Sequence, residues 1–353
     1  MENETEVKIK VIDFIFHQIV KDKNEKEGYL KEAKSKLTDD SKISNTIEKI
    51  HLSISNSTHK VNGKFKKEDS YFKQEFDKYI KDIKSYDLFK ESKNIIGNKD
   101  KQGSLLNLMN KETLSTGGYV LIIHYEDNNK EYFIMSILKN KQGESFLISD
   151  NGIPDIKETV QTDYGNLDYA CRINVDIYND KSSKNPICFI HKTGSNISNY
   201  FIDFIGCEKF NSNKCNSEKL AKIIKDLVKD KDDKEKEEIT NKTIEFCESK
   251  KKIKETIDIF ELAEYVFGDK KIIYKYSEDN DIQIDNSFSP YMSEIRKIEI
   301  VEFKGDWIEK FKFSNDNLDK IDYNDDNTTI VLKNVPDLVK KIKAEKGNVN
   351  NEE

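Results

Sequence analysis

The spacing of apolar residues changes period several times along the chain, and each change marks an element. In "VKIKVIDFIFHQIV", residues 7–20, Val7, Ile9 and Val11 alternate with polar positions, and the phase then shifts to Ile12, Phe14 and Phe16. That predicts a strand with a bulge near Val11. Residues 40–58 and 68–84 read as helices; in the second, Phe72, Phe76, Tyr79, Ile80 and Ile83 recur at helical spacing. The polar run "KESKNIIGNKDKQGS" is expected to be a surface loop.

Two apolar runs, 118–125 and 131–138, flank "EDNNK", which suits a hairpin with a five-residue loop. Val120 and Ile122 face one side and Leu121 and Ile123 the other, so the first run predicts a central strand covered on both faces. "LDYACRINVDIY" alternates strictly from Leu167 to Ile177 and predicts a half-buried strand with Arg172 on its wet face. The period then turns helical at Ile197, Tyr200, Phe201, Phe204 and Ile205, with Gly206 placed as a stop. Leu220, Ile223, Ile224, Leu227 and Val228 repeat that spacing, as do Ile259, Leu262, Ala263, Val266 and Phe267 behind the capping pair Asp258 and Glu261. "KDKDDKEKEE" between them suits a solvated helix or turn. The last third returns to strands ("SEIRKIEIVEF", "FKFS", "DKIDY", "TTIVLK") and closes with a helix over 336–345. The expected fold is α+β: an N-terminal mixed region, 1–210, containing the central hairpin; a helical then β-rich region, 211–345; and a disordered tail, 346–353.

Composition narrows the function. The 353-residue chain is only 36% hydrophobic, but 19 Phe and 16 Tyr supply enough area for a sizeable core. Its formal net charge of −7 repels polyanions as a whole, so nucleic-acid binding requires a local basic face. Residues 60–101 hold twelve lysines against eight acids, with Lys64, Lys66 and Lys67 at their head. Residues 216–353 hold 26 basic against 33 acidic residues, with a small cluster at Lys250, Lys251, Lys252 and Lys254. Such lysines contact phosphate rather than bases, so binding through them is salt-sensitive and sequence-tolerant. Five scattered cysteines without a C-x-x-C pair suit free thiols in a reducing cytoplasm. The polar opening "MENETEVKIK" carries no signal segment, and no apolar run is long enough for a membrane span, so a cytoplasmic protein is expected.

Candidate chemistry is sparse. His124 sits in the least polar stretch of the chain and is expected to be a packed core residue with one hydrogen bond. His17, His51, His59 and His191 offer it no metal-ligand spacing, and there is no phosphate loop or nucleophile elbow. No cofactor or metal is expected. One enzyme-like pattern stands as an alternative: Asp281 and Asp285 precede a strand ending Glu302-Phe303-Lys304, the kind of arrangement in which Asp285, Glu302 and Lys304 serve a Mg²⁺-dependent nuclease.

Five stretches, in order, resemble the bacterial nucleoid-associated protein family typified by YejK (NdpA): "HQIV" at 17–20, "GGYVLIIHYEDNNKEYFIMSILKN" at 117–140, "ACRINVDIY" at 170–178, "NYFIDFIGC" at 199–207 and "TTIVLKNVPDLVKKI" near the end. The resemblance implies a cytoplasmic, non-enzymatic protein associated with chromosomal DNA, a homodimer by analogy, and a structural His124. Arg172 and Asp203 match family positions, with no catalytic role attached. Where the family pattern is rich in basic residues this chain reads "HKTGSNISNYF" and keeps Lys192. Lys64, Lys66, Lys67, Arg172, Lys192, Lys250, Lys251 and Lys252 are therefore the candidate DNA contacts. A module that contacts chromosome-handling or phage-defence proteins is a further alternative.

Overall fold

The computed structural model describes residues 9–148, 154–165, 167–180, 185–191, 199–305, 308–323 and 329–349. It forms two compact units, residues 1–212 with 283–287, and residues 213–282 with 288–353. In chain order the elements are β1 (Lys10–Val20), β2 (Tyr29–Lys31), α1 (Asp40–Asn56), β3 (Lys60–Phe65), α2 (Tyr71–Lys81), α3 (Leu88–Gly97) and α4 (Leu105–Lys111). Then come β4 (Gly118–Asp127), β5 (Lys130–Leu138), β6 (Asn140–Ile148), β7 (Pro154–Thr162), β8 (Tyr169–Asn174), α5 (Val175–Asp180), β9 (Ile187–Ile190), α6 (Asn199–Ile205) and β10 (Cys207–Lys209). There follow α7 (Asn213–Leu227), α8 (Asp233–Lys252), β11 (Ile257–Asp258), α9 (Ile259–Phe267), α10 (Ile272–Asp279), β12 (Ser287–Phe288) and α11 (Met292–Ile295). The chain ends with β13 (Ile300–Gly305), β14 (Ile308–Ser314), β15 (Ile321–Tyr323), β16 (Ile330–Leu332) and α12 (Pro336–Val349).

The fold is α+β, built on one antiparallel sheet ordered β10-β3-β9-β8-β5-β4-β1-β2. Both faces of β4 are covered, as its two-sided apolar pattern requires. Val120 and Ile122 join Phe72, Phe76, Tyr79 and Phe204 of α2 and α6 in one core, while Leu121, Ile123 and Tyr125 meet Ile43, Ile47, Ile50 and Ile54 of α1 in another. Those four isoleucines recur at helical spacing along one stripe, and Asp39 caps the helix by accepting from the Lys42 N–H. Each fully buried isoleucine contributes roughly 2 kcal/mol. The register of β1 on β4 slips between Val11 and Asp13, where the phase change places the bulge.

Several expectations are corrected. The hairpin loop has two residues rather than five: Asp127 pairs with Lys130, and Asn128 and Asn129 take φ of 48° and 62°, the left-handed conformation that asparagine tolerates and tight hairpins need. The "loop" at 90–104 is largely helix, since α3 buries Leu88, Ser92, Ile95 and Ile96 on one face. The strand through "LDYACRINVDIY" stops at Asn174, where α5 begins, and its Arg172 side is not wet, because α1 covers it. "SEIRKIEIVEF" opens as the short α11 and a 3-10 turn before β13, and the final helix continues to Val349. Residues 350–353 lie outside the described residues. The pairing of β6 with β7, from Asn140↔Thr162 to Ile148↔Pro154, was not anticipated. In the second unit, Leu220, Ile223, Ile224, Cys247, Leu262, Ala263 and Ile273 of α7 to α10 supply the core. No helix among the described residues is long and apolar enough to cross a membrane.

Candidate nucleic-acid interface

Lys64, Lys66 and Lys67 emerge where β3 leaves the sheet, beside the edge strand β10. Lys64 lies opposite Glu208 in the β3–β10 register, its Nζ 3.5 Å from that carboxylate and 5.5 Å from the centre of the Phe210 ring. Lys66 donates to Asp203 of α6 at 2.8 Å, and Lys67 is exposed with no ion pair among the described residues. Further along, Lys73 lies between Asp69 and Asp77, Lys78 pairs with Glu75, Lys93 with Glu32 and Lys99 with Glu27. At least six of the twelve lysines in 60–101 thus have a carboxylate partner among the described residues. The pairs of Lys64, Lys66 and Lys99 are exposed on both partners and contribute about 0–1 kcal/mol each, so a phosphate can replace those carboxylates at small cost.

Lysines do converge at one place in this segment. A groove of about 600 Å³ between α2 and α3 is lined by Lys78, Lys90, Lys101, Tyr71, Tyr86 and Glu75, among others. The Lys101 ammonium sits 5.0 Å above the Tyr71 ring, and Lys90 has no ion pair among the described residues. The groove sets three lysines against three acids: Glu75 holds Lys78 and the Tyr86 hydroxyl, while Asp87, which caps α3 by accepting from the Lys90 N–H, and Glu91, which accepts from Asn94, have uncharged donors and keep their charge.

Arg172 is no surface cation. Its side chain is buried beneath α1, donating to His51 Nε2 and Ser55 Oγ at 3.0 Å each and stacking 5.2 Å from the Tyr132 ring centre. A guanidinium is tolerated in such a place only with partners of this kind. Because Arg172 donates to Nε2, His51 gives its Nδ1 proton to Tyr125 Oη at 2.7 Å and is held neutral. Burial, then the charges of Arg172 and Lys60, push its pKa well below 6.5. The unfolded chain takes up this proton near pH 6.5 and the folded chain does not, so this contribution to stability is complete above that pH and is lost as pH falls. Stability should drop by about 1 kcal/mol between roughly pH 7 and pH 5.5 from this group. Urea melts across that range check it, and a His51→Gln variant should show a flatter profile.

His124 is a core residue. It is fully buried, with Nδ1 2.7 Å from Tyr79 Oη and Nε2 2.6 Å from Glu131, and Tyr79 Oη also reaches Asp13 at 2.9 Å. Burial lowers its pKa and Glu131 partly offsets this. It has two hydrogen-bond partners where one was expected, and it is enclosed by Tyr79 and Phe133.

The nuclease pattern loses its first ligand. Asp285 is fully buried and accepts from the Asn62 backbone N–H at 2.8 Å, Asn62 Nδ2 at 3.1 Å and Asn211 Nδ2 at 3.2 Å, with Lys209 at 3.4 Å. A carboxylate so engaged is not presented to a metal. Asp281 lies exposed in the turn after α10, and Glu302 stands opposite Lys312 in the β13–β14 ladder. No group of three or more His, Cys, Asp or Glu among the described residues could hold a metal ion.

Compared with known proteins, residues 15–340 match the family described as nucleoid-associated protein YejK. The chain belongs to this family. Curated relatives include a nucleoid-associated protein of Metapseudomonas resinovorans, 32% identical over 182 residues, half of this chain and 54% of the relative. Another, from Pseudomonas putida strain GB-1, is 31% identical over 182 residues, 50% of this chain and 53% of the relative. The chain spans about half the length of the curated relatives it matches.

In this member of the nucleoid-associated family the remaining candidates fall as follows. Lys192 lies outside the described residues. Lys250 is held by Glu255 and Glu261 at 3.2 Å each, while Lys251 and Lys252 are exposed. Sequence reasoning missed Lys90 and Lys101 as a pair, because the ten residues between them conceal that α3 and the turn after it fold back over α2. It also missed Arg296, which sits with Lys251 and Lys252 on one groove.

Proposed function

We propose that the protein associates non-enzymatically with chromosomal DNA in the cytoplasmic nucleoid, through lysine–phosphate contacts of its first unit. The observation that carries this is the convergence of Lys78, Lys90 and Lys101 on the α2–α3 groove, in a member of a family whose relatives are named nucleoid-associated proteins. Lys64, Lys66 and Lys67 at the β3 edge form a second contact, in which phosphate displaces Glu208 and Asp203 from their lysines. The first unit has 32 basic and 34 acidic residues, so attraction to DNA is local and short-ranged. Binding is accordingly weak, indifferent to sequence and salt-sensitive.

A second copy of the chain fits the same proposal. Leu338, Val339 and Ile342 of α12, with Tyr323, Ile330 and Val331 of β15 and β16, are exposed apolar side chains that a homodimer contact would cover. The test of DNA association is duplex binding by the full chain and by a Lys90→Glu/Lys101→Glu variant over a salt series.

A further inference from the structure

We propose that the groove at the C-terminal end of α8 receives an acidic peptide bearing an apolar side chain, supplied by a partner protein. The groove has a volume of about 690 Å³ and is lined by Glu248, Lys251, Lys252, Met292, Ser293 and Arg296, all in the second unit. It is independent of the DNA contact proposed for the first unit.

Each lining residue has a local reason to be there. The last turn of α8 carries Lys250, Lys251 and Lys252, where the partial negative charge of the terminal carbonyls favours cations. Lys250 is engaged by Glu255 and Glu261, which leaves Lys251 and Lys252 to the groove, neither in an ion pair among the described residues. The single turn of α11 contributes Met292 and Ser293, and the 3-10 turn after it contributes Arg296. Arg296 already grips the Glu248 carboxylate at 2.6 Å, so the groove binds a carboxylate within its own chain.

Two features favour a peptide over the backbone of a duplex. The floor is apolar: Met292 is 9% exposed, and its flexible thioether adapts to varied partners. Such a floor adds to the affinity of a peptide that buries an apolar side chain and gives a phosphate backbone nothing. Charge is the second feature. The second unit carries 27 basic against 32 acidic residues, so a long polyanion meets repulsion beyond the groove. A short acidic peptide lies within about 10 Å of the groove, one screening length, and feels chiefly Lys251 and Lys252, with Arg296 shared with Glu248. Arginine also matches the planar carboxylate in two-point geometry.

The experiment is fluorescence anisotropy of the full chain with a fluorescein-labelled peptide, a short aspartate run ending in isoleucine and phenylalanine. The expected dissociation constant is on the order of 10 μM. A Lys251→Glu/Lys252→Glu variant should weaken it about tenfold or more, and Met292→Gln about threefold. The same peptide with serine in place of its isoleucine and phenylalanine tests the same apolar contribution should the Met292 variant melt early. An unlabelled random-sequence duplex should leave the peptide bound. Absence of peptide binding overturns the proposal. So does displacement by the duplex, which would make the groove a phosphate contact, and so does full affinity both in the Met292 variant and for the serine-substituted peptide, which would reduce it to plain ion attraction.

Discussion

Replacing Asp285 by alanine should destabilise the first unit by about 3 kcal/mol. The segment 283–287 belongs to that unit although it is distant in sequence, and its side chains fasten it there. Gln283 donates to the Asn185 carbonyl at 2.6 Å and accepts from the Asn185 N–H at 3.0 Å, while Asn286 donates to the Ser55 and Ser57 carbonyls at 3.0 and 2.9 Å. Asp285 is the centre of this fastening, with no exposure and donors from Asn62, Asn211 and Lys209. Alanine leaves the buried Asn62 and Asn211 donors without that acceptor, at about 1–3 kcal/mol for each group that stays unsatisfied. Lys209 is 37% exposed on its side chain and keeps water, which limits the loss. Against a typical domain stability of about 5–15 kcal/mol this is a large fraction. Urea denaturation followed by circular dichroism measures it, and a change below about 1 kcal/mol would show that the carboxylate is dispensable.

Gly117→Ala should be comparably damaging, for a steric reason. A Cβ built on Gly117 would lie 2.1 Å from the Ile19 carbonyl oxygen and 2.9 Å from the Lys21 nitrogen, both backbone atoms that cannot rotate away. Gly117 also donates to the Lys21 carbonyl at 2.8 Å, and the next residue, Gly118, is paired with Ile19 in the β1–β4 ladder. Relief of the clash must therefore shift the end of β1 or break this bond, at a cost of about 3 kcal/mol or more. Gly268→Ala is the internal contrast. Its φ of +69° is left-handed, but nothing lies within 4 Å of the added Cβ, so only backbone strain of about 1 kcal/mol applies. Thermal melts of the two variants should rank them in that order; equal shifts would remove the steric account of the glycine pair that opens β4.

The sheet was legible wherever burial followed a simple period. The both-faced pattern of β4, the bulge near Val11, the helical spacing of Phe72, Phe76 and Tyr79 and the caps at Gly206 and Asp258 were all readable, because each is set by neighbours in sequence. In the structure Gly206 takes φ of +74° and Asp258 accepts from Phe260 and Glu261. α3 was missed because Ser92 occupies a buried helical position where the pattern needs an apolar residue, and its hydroxyl is satisfied by the Phe89 carbonyl and His17. Arg172 was misplaced because alternation shows which residues share a face, while the partners that allow a guanidinium beneath α1 come from residues over a hundred positions away. The same limit applies to the candidate interface. Lysine counts located the net-basic segment, but which ammonium groups meet carboxylates and which line a groove depends on how α2, α3 and β10 are packed.

The central claim is that ammonium groups of the first unit meet DNA phosphates, and salt dependence tests it most directly. Full-length protein should be titrated with a labelled random-sequence duplex between about 50 and 200 mM salt. The logarithm of the binding constant should fall linearly with the logarithm of salt concentration, and the Lys90→Glu/Lys101→Glu variant should bind more weakly with a slope shallower by about 2. Affinity that stays flat across the series, no binding at the lowest salt, or an unchanged slope in the variant would contradict the account.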